Sequence, residues 1–223
     1  MRRKLVIEIL FSFFLLASFP LNARCGASEV DKIAKDRPQI LDVISPGDEI
    51  WKWLESSFQS TNGLPAKWSP ESPNLPSHYL SAHRFNAKGE ATIMVEGVRP
   101  DGTHIGGEEV LSMLVFELLN ASHRDEFKAL DAAASERKIG KENYIEGMAK
   151  VEFTTALELK HFAVHLWPQN AVKRGMPWNH PFWKQGTVES FDIYLRTIRG
   201  MHDGYPDDVF GPRYDALSKG EVH

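Results

Sequence analysis

The chain's hydrophobic pattern is densest in its middle. In "LSMLVFELLNAS" (111–122) apolar side chains fall almost all round a helical wheel, which marks a helix enclosed on most sides. The pattern predicts one helix from about Gly107 to Ala134, a turn near Gly140, and a second helix from about Glu142 to Trp167. In the second, positions 145, 148, 152, 155, 159, 162 and 166 alternate steps of three and four, the spacing of a packing seam. A short connection makes the two long helices antiparallel neighbours.

Upstream, "YLSAHRF" (79–85) and "ATIMVEGV" (91–98) flank "NAKGE", and their β-branched and alternating residues predict a hairpin. "RPDG" (99–102) reads as a turn. Ile50, Trp51, Leu54 and Phe58 form the stripe of an earlier helix, with Ser45 and Asp48 offering N-cap acceptor oxygens and Pro46 in its first turn. Residues 28–45 read as a polar lead-in, and "STNGLPAKWSPESPNLP" as a loop. A short helix is expected over Val188–Arg199, followed by a turn-rich tail, "HDGYPDDVFGPRYDAL". With no internal repeat and no compositional break, the expected fold class is α+β: a mostly helical single domain with a small β-hairpin or sheet and two long antiparallel helices.

The first residues alter the setting. Arg2, Arg3 and Lys4 precede an apolar run, Ile9 to Phe19, and small residues follow Pro20 at Ala23 and Ala27. That is the build of a secretory signal over 1–27, too short for a span of ~20 residues. It predicts a bacterial-type exported protein, periplasmic or secreted, with residues 28–223 as one globular domain. An N-terminal anchor, or a lipoprotein modified at Cys25, are the alternatives. Cys25 is the only cysteine, so no intrachain disulfide can form and the domain relies on its core.

Charge narrows the partners. The chain has 26 basic and 30 acidic residues; residues 1–27 hold four of the former and one of the latter, leaving 22 against 29, a formal charge of −7. That disfavours nucleic acid and strong binding of the domain to anionic membrane surfaces. An envelope component or another protein is left as the partner, of unknown identity, and the cofactor is likewise left unknown.

The candidate chemistry sits on the two long helices. At ~100° per residue, Val110, Met113, Leu114 and Asn120 all fall within about 60° of Glu117, so Glu117 and Asn120 share an apolar face. Glu152 occupies the centre of the second helix's seam. A carboxylate in such a place must be neutralised, paired or metal-bound. Two facing each other could share a proton; alternatively each meets a basic side chain such as Arg124. Glu117, Asn120 and Glu152 are therefore the candidate site, with contact expected through Asn120 or Arg124. "ELKHFAVH" offers Glu158, His161 and His165 at a spacing able to bind zinc, but they fall on the polar face, away from Glu152. Trp167, Trp178, Phe182 and Trp183 form an aromatic cluster that suits either core packing or stacking on carbohydrate or wall polymers.

The order of strand "ATIMVEGV", Gly-containing connection and helix with "FELLN" resembles the zincin metallopeptidases, in which a strand runs beside a helix carrying His-Glu-x-x-His. The resemblance covers about residues 79–160. Glu117 falls on the general-base position, while Phe116 and Asn120 stand where the zinc-binding histidines belong. Glu152 would match the acidic third ligand of the gluzincin branch. The resemblance implies a zincin-like scaffold that has lost zinc hydrolysis, because Phe cannot ligate a metal and Asn does so poorly. A metal-dependent hydrolase using Glu117, Asn120 and Glu152, or the His161/His165 pair, is the rival expectation, and a carbohydrate- or envelope-binding module built on Trp178 and Trp183 is a third.

Overall fold

The computed structural model describes residues 27–71, 80–173, 190–201 and 204–221. The leader expected over 1–27 thus lies almost wholly outside the described residues, as do Trp178, Phe182 and Trp183. Among the described residues no helix is long and apolar enough to cross a membrane.

Helix α1 (Glu29–Asp36) begins the domain inside the stretch read as a polar lead-in. Its apolar stripe is only Val30, Ile33 and Ala34, too narrow to register, but a capping box between Ser28 and Asp31 starts it and Val30 and Ile33 are fully buried. A 3-10 turn (Pro38–Asp42) leads to α2 (Glu49–Gln59), where Asp48 accepts from the Trp51 amide at 2.7 Å as the cap pattern predicts.

Strands β1 (Ala66–Ser69), β2 (Ser81–Phe85) and β3 (Ala91–Val95) form one sheet in the order β1-β3-β2. The expected hairpin is present: β2 pairs antiparallel with β3, and Gly89 at φ +82° closes its turn. β1 corrects the loop reading of its segment. It pairs parallel with β3, joined by a long connection whose turn chemistry hides it, and Trp68 pins it by donating from its indole to Asp36 at 2.8 Å.

The single helix expected over 107–134 is two: α3 (Gly107–Ser122) and α4 (Arg124–Ser135), broken at His123 (φ −88°, ψ 22°). The apolar character changes there. α3 is buried round most of its circumference against the sheet, the 3-10 turn and the long helix that follows α4. α4 buries only Phe127 and Ala134 fully and belongs to a second cluster of apolar side chains. Gly107 sits where a Cβ would lie 2.0 Å from the Gln39 carbonyl, so α3 can approach the 3-10 turn only as glycine.

Helix α5 (Lys141–His165) follows the predicted seam: Ile145, Met148, Glu152, Thr155, Leu159 and Phe162 are all buried. It packs on both α3 and α4. The short α6 (Trp167–Lys173) carries a fully buried Trp167, which settles core packing for that ring. After α7 (Phe191–Met201), the tail read as turns is helix α8 (Asp207–Lys219) despite Pro212. Packing overrides the proline's helix-breaking cost: Phe210 and Leu217 are buried against α4 and α5, and Arg213 joins Tyr144 on Asp131. The result is a mostly helical α+β domain, as the pattern predicted.

Candidate functional site

The site is built where α3 crosses the face of β2 and β3. Cross-strand partners project to the same side of a sheet. Ser81, His83 and Phe85 therefore share a face with their partners Val95, Ile93 and Ala91, and that face meets α3. Glu117, in the middle of α3, is 5% exposed. Ser81 Oγ donates to its Oε1 at 2.7 Å, and His83 Nδ1 donates to its Oε2 at 2.8 Å. The His83 ring is walled by Phe85 and Phe127, with centroids 5.2 and 5.5 Å away, and its side chain keeps 16% exposure.

This answers what neutralises Glu117, and it overturns the expected partner. Arg124 does not reach it: the guanidinium turns to the carbonyls of Gly89 and Asn62 and to Asp125. Nor does Asn120 form the bridge between the carboxylates. It is 1% exposed, and its side-chain oxygen has no hydrogen-bond partner among the described residues.

Glu152, 8% exposed on α5, receives the hydroxyl of Tyr205 from the turn before α8. Burial, and then the negative charge of Glu117, push its carboxyl well above the usual carboxylate range. Burial also pushes the phenol of Tyr194 on α7 up, with the charge of Glu152 adding to it. The structure thus brings Glu117 and Glu152 close enough to sense one another's charge. It gives them different partners, and among the described residues no side chain bonds to both.

Ser81, His83 and Tyr205 were not singled out from the sequence. Alternation in "LSAHRF" did place Ser81, His83 and Phe85 on one face, but Leu80 and Ala82 make the opposite register look equally inward. Tyr205 lay in a tail read as turns.

The other candidates separate from this cluster. His161 and His165 are exposed on α5 with ring centroids 4.1 Å apart, while Glu158 turns to His123. Phe116 packs against the main core. Among the described residues no group of three or more His, Cys, Asp or Glu side chains is placed to hold a metal ion. Comparisons with protein-family models, with curated proteins and with solved structures find no match for this chain.

Proposed function

We propose that this chain is an exported, non-catalytic domain on a zincin-like scaffold, in which Glu117, Asn120 and Glu152 serve the packing of helices on sheet rather than chemistry on a substrate. One observation carries the reading. Both carboxylate oxygens of Glu117 are taken up by the chain's own donors, Ser81 and His83, in a place closed to solvent. A general base needs an accessible lone pair within hydrogen-bond reach of the proton it removes. Two grooves of the described surface, one between α4 and α5 and one beside α2 and α3, are lined by other residues. The acidic mature chain and the basic, then apolar, first residues support export and a protein or envelope partner over nucleic acid.

The test is metal analysis of the full chain purified without chelators, paired with the variants Glu117→Gln and Glu152→Gln. The expected result is no stoichiometric metal and a change in stability only. Stoichiometric zinc that is lost in either variant would overturn the reading in favour of a metallohydrolase.

A further inference from the structure

We propose that His123 is a proton-operated clasp across the groove between α4 and α5, joining Glu126 and Glu158 only while both of its ring nitrogens carry protons. His123 shares no hydrogen-bond partner with Glu117 among the described residues.

The backbone of His123 is fixed on both sides. Its amide caps α3 by donating to the Asn120 carbonyl at 3.0 Å, and its own carbonyl accepts the amides of Glu126 and Phe127 to begin α4. The ring stands at this corner with a carboxylate on each nitrogen: Nε2 is 3.2 Å from Glu158 of α5, and Nδ1 is 3.4 Å from Glu126 of α4. An ionised carboxylate only accepts hydrogen bonds, and a neutral imidazole has one N–H. Both contacts can be hydrogen bonds only in the imidazolium. When one proton leaves, a ring lone pair faces a carboxylate and that contact must open.

The groove beside this corner has a volume of about 430 Å³. His123 and Glu126 line it together with Leu130, Gly147, Lys150 and Val151. Among the described residues the charged groups at the ring and its groove are Glu126 from α4 and Glu158 and Lys150 from α5; Arg124 next to it points away to Gly89 and Asn62. Deprotonation leaves the two carboxylates opposed, among the described residues, by Lys150, so the groove turns more negative as the clasp opens. The hydrogen bond that Nε2–H donates to Glu158 holds the His123 imidazole above the ordinary histidine range, against partial burial and with help from Glu126.

Side-chain and amide NMR titration of the full chain tests this. His123 should titrate above the ordinary histidine value of about 6.5. The amides of Leu130, Gly147, Lys150 and Val151 should shift with the same midpoint, and that shared transition should vanish in His123→Gln. Glu158→Gln should lower the midpoint further than Glu126→Gln; both residues are largely solvent-facing, so the fold survives either change. A His123 midpoint at or below the ordinary value, or groove amides that keep their transition in His123→Gln, would overturn the proposal.

Discussion

Glu117 and Glu152 occupy equivalent places in their helices, each in the middle of a buried face, yet the fold treats them oppositely. Glu117 is met by the polar side chains of a strand, with a hydroxyl on one oxygen and an imidazole N–H on the other. Glu152 is met by the Tyr205 hydroxyl in a buried setting that pushes its carboxyl well above the usual carboxylate range. A buried carboxylate survives either by collecting donors or by remaining neutral. The first solution makes the second more favourable, because the charge kept on Glu117 raises the cost of ionising Glu152.

The larger effect is expected at Glu117. Replacing it with leucine strands His83 and Ser81 against an apolar helix, and should cost about 3 kcal/mol, the scale for removing one partner of a buried pair. Denaturant unfolding of the variant measures it. A loss below about 1 kcal/mol would mean that the strand's donors are satisfied equally well without the carboxylate.

Glu152→Gln probes the carboxyl on α5. A carboxyl whose folded proton affinity is raised gives stability that is fully present below its unfolded value of about 4.3, and lost as pH rises through the folded one. Glutamine cannot ionise and still accepts the Tyr205 hydroxyl. The variant should therefore match the natural chain near pH 4 and exceed it in stability at alkaline pH. Each tenfold rise in proton affinity on folding contributes about 1.4 kcal/mol to that difference. Thermal unfolding across pH checks the sign: two parallel curves would show that Glu152 titrates as it does in the unfolded chain.

The two halves were unequally legible in the sequence. Helical period alone placed Glu117, Asn120 and Glu152 inside, because a polar residue on an apolar arc has only one place to go. Their partners were hidden for distinct reasons. β2 is short and its two faces are nearly matched in polarity, so period two could not say whether Ser81 and His83 face in. Tyr205 precedes a helix interrupted by Pro212, whose local propensity argues for turns until burial of Phe210 and Leu217 outweighs it. His123 ends α3 without Gly or Pro, so the continuous apolar pattern concealed the corner. What depended on one element's period could be read; what depended on two elements meeting could not.

The smallest effect separates the third residue from both carboxylates. Asn120 lies one turn beyond Glu117 and is enclosed, but its side-chain oxygen accepts nothing from the described residues. A buried acceptor left without a donor forfeits its hydration, which costs about 1–3 kcal/mol, whereas an apolar group of similar shape has no such loss. Asn120→Leu should therefore leave stability unchanged or raise it by about 1 kcal/mol, with leucine's slightly different shape offsetting part of the gain. Glu117→Leu moves in the opposite direction although it makes a similar change on the same helix face. The double variant should be close to additive if Asn120 takes no part in holding Glu117. Marked destabilisation by Asn120→Leu, or strong coupling in the double variant, would instead join Asn120 to the Glu117 network, and the division between the two carboxylates would no longer run between separate sets of partners.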